Sequence, residues 1–124
     1  MRLFFAIIIA MNSAFIFTDG AEFSFLDRTH KFNDCEEGVL LEHDFVFTNT
    51  GDEPLLISSY KVACSCTKID FPKAPVAPGQ KGTIHLSFDT NGKYGFQSRK
   101  IYINSNAKKK TVLQFKVTVI PHNE

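Results

Sequence analysis

Residues 41–49 read LEHDFVFTN, and their side chains alternate between two faces. One face carries Leu41, His43, Phe45, Phe47 and Asn49, and the opposite face is mainly polar. Successive side chains of a β-strand point to opposite sides, so this stretch predicts a strand with one buried face.

The same alternation recurs later in the chain. Ile84, Leu86 and Phe88 share one face of residues 83–89. Within residues 112–120, one face is likewise apolar and carries Leu113, Phe115, Val117 and Val119. Strands with a single apolar face need a second sheet to cover it. Turn-forming residues separate the strands at 49–54, 72–79, 89–92 and 104–106. We therefore predict an all-β fold, an antiparallel β-sandwich of about seven strands near 22–27, 38–49, 54–62, 65–71, 81–89, 95–104 and 111–120.

The N-terminus predicts a signal peptide. Arg2 precedes an almost wholly apolar run over residues 3–17, and the small residues Gly20 and Ala21 follow. This order is typical of secretory signals, and the run is shorter than a membrane-spanning helix requires. We expect a signal peptide over 1–20 and one domain over 21–124, secreted or periplasmic, with no stable membrane insertion after cleavage.

Composition limits the function classes. The 124 residues suffice for one domain, and the formal net charge is only +1. A protein without a large basic field is not expected to bind nucleic acid.

Several motifs resemble the bacterial domain-of-unknown-function family 1573. They are His43-x-Phe45-x-Phe47-x-Asn49-Thr50-Gly51, Pro54–Ile57, Cys64-Ser65-Cys66-Thr67, Pro78-Gly79, Gly82–Phe88 followed by Asp89-Thr90, Gly95-Phe96 and Ser105-Asn106. Together they cover residues 22–120. The resemblance implies an exported, immunoglobulin-like sandwich and no known reaction or cofactor. Ser65 stands where the family usually has glycine, and Phe32-Asn33 stands where it tends to have Phe-Gly.

The cysteines are the sharpest candidate site. Cys64 and Cys66 would lie about 6.6 Å apart in an extended strand, so a disulfide between them requires a bend. The alternatives are a pair of buried thiols, redox chemistry, or soft-metal binding by both thiolates with His43 as third ligand. Cys35 is the odd third cysteine, and its pairing is open. His30, His85 and His122 are interpreted as surface residues.

No acid–base pair, activated nucleophile or closed metal site can be assembled from the sequence. We assign no catalytic residue and no cofactor. The sequence predicts a non-catalytic, exported binding or structural module of the bacterial envelope, with an unidentified envelope protein or glycan as partner. Contact would be made through loops at one sandwich end or through an unpaired edge strand. The alternative is a periplasmic soft-metal (copper) binding protein that uses Cys64 and Cys66.

Overall fold

Nine β-strands form in the computed structural model, which describes residues 20–122. They are β1 (Phe23–Phe25), β2 (Thr29–Lys31), β3 (Cys35–Glu36), β4 (Leu40–Asn49), β5 (Ile57–Lys61), β6 (Thr67–Asp70), β7 (Lys81–Asp89), β8 (Gly95–Ser105) and β9 (Thr111–Ile120). Apart from Gly20, the predicted signal peptide lies outside the described residues. The described residues include no helix long and apolar enough to cross a membrane.

The strands form two sheets. Sheet A has the order β1-β4-β7-β6 and is antiparallel throughout. Sheet B has the order β2-β9-β8-β5, and β3 also pairs with β9. Both β2 and β3 run parallel to β9. The prediction of an all-β sandwich is confirmed, and sheet B is mixed rather than purely antiparallel.

Two strands, β2 and β3, were not predicted, and four others, β1, β4, β5 and β6, are shorter than expected. β2 and β3 have three and two residues, too few to show an alternating pattern. β5 begins at Ile57 because Leu55 makes only an isolated bridge, to Val76. β6 begins at Thr67 because a turn precedes it, in which Thr67 N donates to Cys64 O at 3.1 Å.

The core fills the space between the sheets. Sheet A contributes Phe45, Phe47, Ile84, Leu86 and Phe88, and sheet B contributes Ile101, Leu113, Phe115 and Val117, each at most 1% exposed. Phe88 and Phe115 meet across the two sheets with ring centroids 4.8 Å apart. Burial of each such side chain contributes about 1.5–3 kcal/mol. Gly82 sits opposite Phe47, where an added Cβ would lie 2.4 Å from the ring.

The edges of both sheets are poor templates for another strand. β1 has three residues and β6 has four. The pairing of β5 with β8 contains a register shift between Ile57 and Ser59. The opposite edge of sheet B is divided between β2 and β3. Short and irregular edges disfavour strand addition.

Asn49 joins three parts of the chain at the end of β4. Its side chain is fully buried, and its Nδ2 donates to Glu53 O at 2.8 Å and to Val76 O at 2.9 Å. Its Oδ1 accepts from Gly51 N at 2.9 Å and from Glu22 N at 3.3 Å. Hence one amide bonds to four backbone groups, of which, within the described residues, only Val76 O has a second partner, Leu55 N.

Asn49→Ala is expected to lower the free energy of unfolding by roughly 3 kcal/mol, because buried backbone groups lose their partners. Chemical denaturation of this variant and of Asn104→Ala measures the effect. Asn104 is an exposed amide bonded to Ser59 Oγ, so its loss should cost less than about 0.5 kcal/mol. Equal, small losses in the two variants would contradict the role assigned to Asn49.

Candidate functional site

The Cys64–Cys66 disulfide closes the turn between β5 and β6. The two Cα atoms are 5.2 Å apart, closer than in an extended strand, because the chain bends here. Cys66 N lies 3.1 Å from Cys64 Sγ, and Cys66 O accepts from Asp89 N at 2.9 Å. The disulfide turn is thereby fixed to the end of β7.

The other candidate ligands are not gathered around the disulfide. Cys35 is a free, half-buried cysteine on β3, and burial, followed by the charge of Asp34, raises the pKa of its thiol. His43 lies on the inner face of β4, opposite Leu86. Within residues 20–122, no three His, Cys, Asp or Glu side chains are placed to hold a metal ion together. Because Cys64 and Cys66 are bonded to each other, soft-metal binding requires their prior reduction.

His43 takes part in a histidine pair that the sequence did not reveal. Its ring stacks on that of His30 with centroids 3.6 Å apart, and Phe45 packs edge-on at 4.7 Å. His43 Nε2 is buried without a hydrogen-bond partner, 3.8 Å from Asp27 Oδ1. The interpretation of His30 as a surface residue is incorrect, since it is half-buried against β4. Burial lowers the pKa of His30, His43 lowers it further, and Asp27 opposes both effects.

His85 has the opposite environment, on the outer face of sheet A. Its Nδ1 lies 2.5 Å from Asp44 Oδ1, and its Nε2 lies 3.3 Å from Glu42 Oε1. The hydrogen bond to Asp44 raises the pKa of His85 most, and the one to Glu42 raises it next. Burial lowers this pKa, but by less.

The end of the sandwich that holds the disulfide turn also carries exposed apolar side chains, with Leu40 outward on sheet A and Phe96 and Ile120 outward on sheet B. We call it the apolar end and define it by five residues, namely Val39, Leu40, Tyr94, Phe96 and Ile120.

Backbone contacts bring these residues to the same end. Leu40 pairs with Asp89, which is bonded to Cys66, and Val39 O accepts from Thr90 Oγ1 at 2.5 Å. Glu37 N donates to Ile120 O at 2.9 Å. A shallow groove of about 530 Å³ runs along this end, lined by Leu40, Cys64, Ser65, Cys66, Lys68, Ser87, Asp89 and Lys93.

The comparisons with known proteins agree with this architecture. The fold defines an immunoglobulin-like β-sandwich. The chain belongs to a family of proteins of unknown function, DUF1573, whose model matches residues 23–119. No curated protein matches the chain.

Solved structures share the fold at low sequence identity. The VesB protease of Vibrio cholerae is similar with a TM-score of 0.65 and 12% identity over 77% of this chain, which corresponds to 31% of the protease chain. A protein of unknown function from Porphyromonas gingivalis W83 is similar with a TM-score of 0.65 and 14% identity. The match covers 82% of this chain and 47% of that protein. PapD-like domain 7 of human CEP192 is similar with a TM-score of 0.58 and 12% identity. The match covers 82% of this chain and 86% of that domain. The chain thus spans less than half of the first two structures, and the likeness shows the fold alone.

Reduction of the disulfide is expected to change stability little. The bond closes a loop of three residues, so chain entropy assigns it less than about 2 kcal/mol, against roughly 3–4 kcal/mol for a bridge that closes about thirty residues. Thermal melts with and without reductant measure the effect, with Cys35→Ser as the control. A large drop in Tm on reduction would contradict the local bond and indicate a bridge to Cys35, which mass mapping would identify.

The two histidine environments predict opposite effects of pH. The pKa of His30 is lowered by folding, so its contribution is present above its unfolded pKa of about 6.5 and is lost as pH falls below it. The pKa of His85 is raised, so its contribution is present below that pH and is lost as pH rises through the folded pKa.

Acidification from neutral pH should therefore destabilise His30→Asn less than the parent protein, and His85→Asn more. Urea denaturation across this range measures both slopes, and each variant serves as the control for the other. Two variants with the same slope would contradict these assignments.

Proposed function

We propose that the protein is a non-catalytic, exported binding module that contacts a protein partner through its apolar end. The observation that carries the proposal is the distribution of exposed apolar side chains. Eight large hydrophobic side chains are exposed in the described part of the chain, and five of them lie at this end. Among these, Tyr94 is 71% and Phe96 is 64% exposed.

The composition of this end suits a protein interface. Tyrosine and phenylalanine are enriched at such interfaces, and gathered exposed apolar residues mark interaction sites more often than scattered ones do. Lys93 and Lys68 at the groove supply a charged rim. The disulfide and the bond from Asp89 to Cys66 hold the turn beside Leu40, so little entropy is lost when a partner orders the surface.

The edge strands are the weaker route. Each edge of the sandwich is short, divided or interrupted by a register shift, as described above. Of the two routes that the sequence left open, loops at one end of the sandwich or an unpaired edge strand, we therefore choose the end of the sandwich.

An exported location is supported by the sequence pattern of residues 1–20. The proteases and glycoside hydrolases among the similar structures are longer chains, so their reactions are not transferred to this protein.

The proposal is tested by site-specific photocrosslinking of the exported protein in its native host. A photoreactive residue at position 94 is expected to capture a defined partner, and one at position 83, on the outer face of sheet A, is not. Leu40→Ser should weaken the capture, whereas Leu56→Ser should not. Leu56 is also an exposed leucine, but it is bonded to Asn106, away from the apolar end. Unchanged Tm values for the two leucine variants would exclude unfolding as the cause of weaker capture. Equal capture of a partner from positions 94 and 83 would contradict the proposal.

A further inference from the structure

The two outer faces of the sandwich differ in charge. The strand register places Lys31, Lys61, Lys100 and Lys116 on the outer face of sheet B, which we call the lysine face. On the outer face of sheet A, the register places Asp44 and Asp70 on either side of His85, with Glu42 beside them. Lys68 and Lys81 lie on the same face, so its charges are mixed. A net charge of only +1 hides this difference between the faces.

The lysine face carries more positive than negative charge, since Glu36 at the end of β3 is the one carboxylate that the described register places beside its four lysines. None of its four ammonium groups has a carboxylate partner among the residues that the structure describes. Lys31 and Lys116 are direct neighbours across the β2–β9 pair. Like charges placed opposite each other are unfavourable in a sheet, so this pair does not stabilise the fold. It does create a positive potential on one side of the molecule.

Tyr102 adds an aromatic group to the same face. It is 47% exposed and lies between Lys61 on β5 and Val112 on β9. Lysine stems and tyrosine rings combine an apolar body with a polar tip, and both side chains are suited to the boundary between water and lipid headgroups.

We propose that the lysine face binds the surface of an anionic phospholipid bilayer. The four ammonium groups attract the negative headgroups, whereas on the outer face of sheet A three carboxylates offset the two lysines, so the lysine face is the side that turns toward the lipid. The domain lies on the surface and does not insert. The proposal rests on the lysines and not on the apolar end, although Phe96 and Ile120 of that end lie at the border of the same outer face.

Co-sedimentation with vesicles tests the proposal on the exported protein. Binding is expected to vesicles of phosphatidylcholine that contain phosphatidylglycerol, to weaken as salt is added, and to be absent with phosphatidylcholine alone. The double variant Lys100→Glu, Lys116→Glu should weaken binding by at least about tenfold, because each lysine contributes near an anionic surface.

The matched control is Lys68→Glu, Lys81→Glu. Both lysines are exposed on the outer face of sheet A, so this variant makes the same change of charge on the opposite side. It should bind vesicles no more than a few-fold more weakly than the parent protein.

Four outcomes would overturn the proposal. These are equal losses in the two double variants, equal binding to neutral vesicles, binding to dextran sulfate without binding to vesicles, and salt-sensitive self-association in place of vesicle binding. Leu40→Ser leaves the lysine face intact and should bind vesicles normally, so failure of the crosslinking experiment and failure of this one are distinguishable.

Discussion

The buried amide of Asn49 is the interaction on which the rest of the sandwich depends. It lies where β4 ends, and it holds the segment that leads into β1, the turn that follows β4 and the strand-like segment at Val76. Position 51, two residues after Asn49, must be glycine, because a Cβ there would lie 2.1 Å from Gly20 O. The Asn-x-Gly sequence after an alternating strand therefore combines a hydrogen-bond requirement with a steric one. An alanine at position 51 would push away the very segment that Asn49 binds.

Much of the fold was predictable because it follows from alternation. The long strands β4, β7 and β9 have enough residues for a two-residue period to be visible, and their apolar faces are those buried in the core. β2 and β3 were not predictable, because two or three residues have no period and because their partner, β9, lies more than eighty residues away in the chain. The turn before β6 was foreseen only as a bend required by a disulfide between Cys64 and Cys66.

The candidate surfaces needed the register as well as the sequence. Nothing in the order of the residues brings Lys31 beside Lys116, or His30 onto His43, since each pair depends on which strands are neighbours or face each other between the sheets. The exposed apolar residues of the apolar end come from three separate stretches of sequence. Each stretch alone reads as an unremarkable strand end. The residues that share a surface in such a sandwich therefore depend on which strands pair, and a single sequence does not specify that pairing.

The position of β9 has a consequence for how the chain becomes a folded protein. The last strand of the chain lies inside sheet B, where it pairs with β8 on one side and with β2 and β3 on the other. A chain that emerges N-terminus first, from a ribosome or through a membrane pore, therefore lacks the middle of one sheet until residue 120 is free. Non-local pairing of this sort also makes closure slow. In either case sheet B is completed only when β9 becomes available to pair with β8, β2 and β3.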